Sequence, residues 1–355
     1  MAKIFYIIEK CLVDSIEIEE WKQALKKNNV GFKIINRVPF TENIQEAFPD
    51  GFPVECYITS DYIPIYYCTI EMCKLLVDHN QKNPELNLQG LFYSEYSGIS
   101  CLSWFRWLYN KVPLVNTGIF TSYNDLISDW YRIFKMFDSK DLFIKPDKGD
   151  KLFAGSIWNI NEKQEFLNHV QYELQNAYRQ NEDMNEVMVM INRPKNISAE
   201  YRFFILDGKV VTGSQYRRNN ILDKRIDVSK KALDLANEVA KLENQISRFY
   251  ACDIVELQDG SVEVLEINAG SCSGLYEHNK DKLVKAFKEA FKNLVYKEID
   301  VESLPTIPNY GKILYKIKNL TANYCSNQMQ YEMRLKELES LGYDIENIAF
   351  FIRDS

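Results

Sequence analysis

Three segments between Leu142 and Asn268 limit what this chain can fold into more than any other feature. Leu142–Trp158, Glu200–Arg217 and Ala251–Asn268 each alternate apolar and polar residues and break at a turn dipeptide, Lys148-Gly149, Asp207-Gly208 and Asp259-Gly260 respectively. Asp-Gly between alternating runs signals a hairpin because a tight two-residue loop needs positive φ at both positions, which these residues tolerate. Between the hairpins, Glu162–Gln180 carries Phe166, Val170 and Leu174 at helical spacing, and Lys230–Phe249 carries Leu233, Ala236, Ala240 and Ile246. Hairpins separated by amphipathic helices predict an α+β domain on antiparallel sheet.

The chain before this block has another grammar. Lys3–Ile8, Phe32–Val38, Cys56–Thr59 and Gly90–Tyr93 read as strands, with helices at Ser15–Asn29, Ile70–Asp78 and Leu102–Tyr109. The first helix has a Ser15 cap, early acids Glu17, Glu19 and Glu20, late Lys26 and Lys27, and Gly31 placed to end it. Strands alternating with helices predict parallel βαβ units. After Asn268 come a helix at Asp281–Lys297, a break at Pro305–Pro308, and a tail with a helix at Gln330–Leu341 and a strand at Ile345–Ile352. A chain of 355 residues exceeds the ~250–300 residues one core serves. The expected division is an α/β domain over 1–125, a second domain over 126–300 and a C-terminal extension over 301–355.

Composition removes several function classes. The net charge of −7 repels nucleic acid and anionic membrane, so an anionic ligand has to be small and locally held. The longest apolar runs, Val187–Ile191 and Ile4–Ile8, fall far short of the roughly 18 residues of a membrane span. Met1–Ile8 runs into Glu9-Lys10 without a signal-peptide core, which predicts a cytoplasmic protein. Eight scattered cysteines and three histidines contain no Cys-x-x-Cys pair, so zinc and Cys/His nucleophilic chemistry have no support.

The third hairpin carries the strongest chemical signal. A two-residue loop at Asp259-Gly260 puts Asp253 directly opposite Glu266, with Asn268 on the same face, and pairs Glu256 with Glu263 on the other. Opposed carboxylates ~5 Å apart repel, and a hard cation such as Mg²⁺ between them would relieve that; the competing reading is an acidic rim held apart by solvent. The second hairpin places Arg202 opposite Gly213 and sets Glu200, Arg202, Gln215 and Arg217 on one face. That face suits bidentate binding of phosphate or carboxylate, or else holds a plain Glu200–Arg217 salt bridge. Lys145, Lys148 and Lys151 surround the first turn and could hold a polyphosphate, although Asp147 and Asp150 also suit a solvated mixed-charge turn.

Phe143-Ile-Lys-Pro, Lys151-Leu-Phe-Ala-Gly155, the Tyr201–Arg217 run, Asp253 and Glu266-Ile-Asn268, in this order, resemble the ATP-grasp superfamily. More closely they resemble a divergent bacterial and phage clade related to a eukaryotic cell-division-cycle protein of translation-initiation-factor assembly. The match covers about 140–300, and residues 1–125 fit the Rossmann-like domain that precedes ATP-grasp domains by pattern alone. The resemblance implies ATP and Mg²⁺ as cofactors. Lys145 and Lys151 would contact the phosphates, and Val187–Ile191, Met190 and Ile191 foremost, would give adenine backbone hydrogen bonds. Asp253, Glu266 and Asn268 would hold Mg²⁺, with Arg202 and Arg217 as catalytic residues facing the transferring group. One departure is that Gly149 is the only glycine in the turn, where a glycine-rich phosphate loop is usual. The implied activity is an ATP-grasp ligase that forms a C–N bond between a carboxylate and an amine on an amino acid, peptide or protein, through an acyl phosphate. The alternative is an ATP-binding assembly factor for a protein partner.

Overall fold

The computed structural model describes residues 3–39, 41, 43–51, 62–82, 100–115, 119–147, 152–176 and 183–291. In chain order these form β1 (Lys3–Glu9), α1 (Ser15–Lys27), β2 (Gly31–Ile35), α2 (Ile44–Ala47), β3 (Tyr62–Tyr67), α3 (Ile70–Lys82) and α4 (Cys101–Leu108). Next are β4 (Ile119–Ser122), α5 (Tyr123–Ser128), α6 (Trp130–Met136), β5 (Asp141–Pro146), β6 (Ser156–Asn159), α7 (Lys163–Asn176) and β7 (Met188–Asn192). The rest are β8 (Ile197–Leu206), β9 (Lys209–Arg218), β10 (Ile221–Arg225), α8 (Lys230–Ala240), β11 (Phe249–Leu257), β12 (Val262–Ala269) and α9 (Lys280–Ala290). The chain is a mixed α/β and α+β protein, as the pattern predicts. No helix among the described residues is long and apolar enough to cross a membrane.

The N-terminal sheet is parallel, in the order β2-β1-β3. Successive side chains of β1 enter opposite cores: Ile4, Tyr6 and Ile8 meet Trp21 and Leu25 of α1 and Phe287 of α9, while Ile7 meets Met72 and Leu76 of α3. A strand covered on both faces needs such continuous apolarity. The sequence pattern does not single out β3, whose run is interrupted by Pro64, a residue that a sheet tolerates at an edge. The expected strands Cys56–Thr59 and Gly90–Tyr93 lie outside the described residues, as does the tail with its predicted helix and strand.

Two details at α1 differ from expectation. Asp14, not Ser15, is the N-cap, its carboxylate accepting from the Glu17 amide, because Ser15 is already the first helical residue. Asn29, at φ 53°, takes the left-handed position after the helix, and Gly31 instead opens β2, where a Cβ would lie 2.7 Å from the Phe5 ring.

The five-stranded antiparallel sheet runs β10-β9-β8-β11-β12. Asp207 and Gly208 take φ values of 46° and 72°, the two-residue turn expected, and Leu206 pairs with Lys209. Bulges between Phe204 and Ile205 and between Glu200 and Tyr201 then each add a residue on β9. Arg202 consequently faces Ser214, Gly213 faces Phe203, and Gln215 faces Tyr201. The space beside Gly213 belongs to the Phe203 ring rather than to Arg202, and Gln215 leaves the Arg202 face. Strand β10, missing from the sequence reading, follows a second tight turn with Asn219 and Asn220 at φ 49° and 63°.

In the third hairpin two one-residue offsets cancel. The Gly260 amide donates to Leu257 O and the Leu257 amide to Ser261 O, so the loop holds three residues, with only Gly260 at positive φ. This removes the Glu256–Glu263 pairing: Glu263 faces Val255 and Glu256 faces Val262. A bulge beyond Ile254 restores the register, and Asp253 lies opposite Glu266 as predicted.

The third sheet, antiparallel throughout, runs β4-β7-β5-β6. The hairpin expected over Leu142–Trp158 is β5–β6, with Leu142 facing Trp158; its turn residues 148–151 lie outside the described set. One face packs Leu142, Ile144, Val189 and Ile191 against Trp130 and Phe134 of α6 and Phe166 of α7. The described residues group into two compact units. One draws on Met1–Ile99, Asn110–Pro113 and Ile197–Pro305, the other on Ser100–Tyr109 and Leu114–Asn196. Division by chain order at 125 and 300 remains a proposal about modules, because compactness joins segments distant in sequence.

Two outcomes follow from the packing. A Cβ on Gly213 would lie 2.6 Å from the Phe203 ring and 3.3 Å from Val228 Cγ1, so Gly213→Ala is expected to cost about 1–3 kcal/mol, read as a lower urea midpoint at unchanged slope. His278 packs edge-on against Phe204, with Nδ1 3.4 Å from Thr212 Oγ1 and Nε2 buried without a partner among the described residues. Burial, then the charges of Arg202 and Lys280, hold its pKa well below the ordinary 6.5. Below pH 6.5 the unfolded chain gains a proton that the folded one refuses, so stability falls by about 1.4 kcal/mol per pH unit from this residue. His278→Phe should therefore lose less melting temperature than the wild type between pH 7.5 and 5.5.

Candidate active site

On the β8–β11–β12 surface the predicted metal residues come together. Asp253 on β11 faces Glu266 on β12, and Asn268 follows Glu266 by two residues on the same side. The Asn268 amide donates to Glu266 Oε1 at 2.9 Å and to Asp253 Oδ2 at 3.4 Å, which places both carboxylates within reach of one small group. Asp253 has no solvent exposure. Burial pushes its carboxyl up to about 6, Arg202 opposes the rise, and the charges of Glu266 and Glu200 add to it.

Arg202, on β8 directly across from Asp253, supplies the compensating charge. Its Nε and one terminal nitrogen donate to the two Asp253 oxygens, both at 2.7 Å, and the other terminal nitrogen donates to Gly274 O at 3.2 Å. The side chain is nearly buried. Burial alone would weaken the guanidinium charge, and the Asp253 pairing overrides it, holding the Arg202 pKa above its ordinary value. Its carbon lies 5.6 Å from the Tyr216 ring and 5.3 Å from the Tyr276 ring, and those rings stack at 4.8 Å. Tyr276 sits at φ 46°, an uncommon conformation for a bulky residue. The predicted catalytic Arg202 is therefore the partner of the predicted metal ligand Asp253.

Arg217 is different. It faces Glu200 across the hairpin, with its terminal nitrogen 3.3 Å from Glu200 Oε1, and its side chain is 47% exposed. Glu200 also accepts from the Tyr216 hydroxyl at 2.7 Å. The second bulge brings Tyr216 to this face, so sequence periodicity could not find it; Tyr276 lies in a loop and has no periodic signal at all.

Lys145, Met190 and Ile191 belong to the other compact unit. Lys145 on β5 pairs with Met190 on β7, and Ile144 pairs with Ile191. Ile144 and Ile191 point into the core, leaving Lys145 and Met190 on the opposite face. Val189, Met190 and Ile191 are paired on both sides, by β4 and by β5. Backbone hydrogen bonds from Met190 or Ile191 to a base would have to displace ladder partners. Lys151 lies outside the described residues.

The donor set on β11 and β12 fits a magnesium ion. Two carboxylates and an amide are hard oxygen donors, and a cation would offset both the burial that raises the Asp253 pKa and the lesser contribution of the Glu266 charge. As a ligand Asn268 would present Oδ1, the other end of the amide that now donates. Among the described residues no three His, Cys, Asp or Glu side chains form a group that could hold a metal ion.

Comparison with known proteins bears on this geometry. The structure is similar to the D-cycloserine synthetase DcsG, with a TM-score of 0.53 at 11% identity, covering 81% of this chain and 99% of that one. It is also similar to an ATP-grasp RimK domain protein from Sphaerobacter thermophilus, with a TM-score of 0.51 at 11% identity, covering 80% of this chain and 99% of the other. At such identities the likeness concerns the fold. No curated protein matches the sequence. Residues 111–287 match the model of an ATP-grasp domain, the third family of its clade, over a span that holds every predicted site residue. Residues 111–287 of this chain are an ATP-grasp domain.

Proposed function

We propose that this protein is an ATP-dependent ligase that joins a carboxylate to an amine through an acyl phosphate, on an amino acid, peptide or protein substrate. The observation that carries the proposal is the Arg202–Asp253 pair fixed beside Glu266 and Asn268, inside the segment that matches the ATP-grasp domain. A substrate carboxylate oxygen attacks the γ-phosphorus, the bond to the ADP oxygen breaks, and ADP leaves with the electron pair. The amine nitrogen then attacks the acyl carbon, the C–O bond to phosphate breaks, inorganic phosphate departs, and the amine loses a proton. Phosphoryl transfer asks a protein mainly for position and charge, so no side-chain nucleophile is needed.

In this reading Asp253, Glu266 and Asn268 hold magnesium, which when bound neutralises phosphate charge. Arg202 keeps Asp253 ionised and aimed; of the five N–H groups of a guanidinium, the three bonds it makes leave two for a developing oxyanion. In the same reading Arg217, half exposed, would attract an anionic substrate group, and Lys145, by the family resemblance, phosphate. The Lys151 contribution is carried over from the family resemblance alone.

Mg·ATP is expected to raise the melting temperature, since a ligand bound only by the folded state at 100 times Kd adds about 2.7 kcal/mol. Glu266→Gln should fold normally and lose the magnesium-dependent part of that shift; an unshifted wild type would remove nucleotide binding from the proposal.

Arg202→Lys keeps the charge and loses the two-pronged grip on Asp253. With a pool of amino acids and peptides as substrates, ADP release by this variant should show kcat and kcat/KM reduced together, about 10-fold or more, and a higher magnesium requirement. Wild-type turnover in the variant would take Arg202 out of the mechanism. A wild type that binds Mg·ATP yet releases no ADP with any carboxylate and amine would favour the assembly-factor reading.

A further inference from the structure

We propose that the edge strand β10 pairs antiparallel with β10 of a second copy of this chain, so that one sheet runs through a two-fold dimer. Among the described residues β10 ends its sheet, with β9 on one side only. An edge strand presents a row of backbone donors and acceptors ready to pair with another strand. On β10 that row is flanked by large apolar side chains: Ile221 and Leu222 are 71% and 61% exposed, and Ile226, just past the strand, is 63% exposed.

The charges of β10 say which strand fits. Asp223 and Arg225 share one face. Gln215, which Arg225 faces on β9, donates to the Asp223 carboxylate at 3.0 Å, and Arg225 Nε lies 2.9 Å from Asp223 Oδ1. Leu222 faces Arg217, so Leu222 and Lys224 lie on the other face, and Ile226 continues their row. A two-fold axis normal to the sheet keeps like faces together, so the sum of paired residue numbers must be even. About an axis at Lys224, Asp223 lies opposite Arg225 of the second copy and Arg225 opposite its Asp223, while Leu222 lies opposite Ile226 on both sides. Sliding one allowed step in either direction sets Asp223 against Asp223 or Arg225 against Arg225, which repel. Within the strand, the register centred on Lys224 is therefore the self-complementary one. It brings two lysines together at the axis, and each has a place to turn: Lys224 Nζ lies 6.0 Å from the Tyr276 ring of its own copy. The strip covered is short, so the dimer is weak and its population follows concentration.

The test measures the mass of the full chain in solution against concentration. The wild type should pass from one chain at about 1 μM to two chains by roughly 500 μM, the range that suits a small interface. Asp223→Arg leaves two cations on each edge and Arg225→Asp leaves two anions. Each variant alone should dimerise about 10-fold or more weakly, while an equimolar mixture re-forms both opposite-charge pairs and should regain the wild-type curve. If a charge variant does not fold, Leu222→Asp, at an exposed position, should weaken the dimer likewise. A wild type that stays a single chain up to about 1 mM overturns the proposal and leaves the edge to residues 292–355 or to another protein. A wild-type dimer that none of the variants weakens belongs to another surface and also overturns it, as does a mixture that associates no better than its two components.

Discussion

The buried pair of Arg202 and Asp253 is the interaction on which the rest of the site depends. Asp253 has no exposure, and the positive charge that compensates it comes from the fork on β8. Removing one partner of such a pair leaves a charge stranded in the interior, at a cost of about 3–5 kcal/mol, whereas an exposed pair such as Arg248 with Asp207 contributes little. The pair also explains the surrounding chemistry. Tyr216 and Tyr276 lie near the guanidinium, and Gly274 O takes its remaining terminal nitrogen. Strands β8 and β11 are thereby tied through side chains as well as through their ladder.

Around this pair, among the described residues, Glu200, Asp253 and Glu266 are three acids on neighbouring strands; Arg202 grips Asp253, and half-exposed Arg217 lies against Glu200. Burial pushes the Asp253 carboxyl up to about 6 although an arginine grips it, and the charges of Glu266 and Glu200 add to the rise. A protein needing only stability would do better with apolar packing there. An enzyme that must accept a divalent cation gains from the residual repulsion, since the cation then binds in place of a proton.

Where the sequence reading and the fold part company, each difference has a local cause. Alternation and turn dipeptides locate all three hairpins, yet they cannot count bulges, and each bulge moves every later pairing by one residue. Hence alternation sets Gly213 beside Arg202, while in the fold it serves Phe203. The Asp253–Glu266 pairing emerges correctly only because a three-residue loop and a bulge offset one another. The family resemblance suggests backbone contacts at Met190 and Ile191, and motif order says nothing of how many neighbours a strand has.

By itself the sequence determined the classes of element, the parallel sheet followed by antiparallel hairpins, and the acids and basic residues near each turn, because periodicity and turn chemistry are local. It also carried the ATP-grasp resemblance, since motif order survives in a chain without its coordinates. Only the tertiary structure decided that Arg202 grips Asp253, that Arg217 is left with Glu200, and that the Asn192 amide is buried without a partner among the described residues. Those outcomes depend on bulge count, strand neighbours and desolvation, which arise when segments distant in sequence pack together.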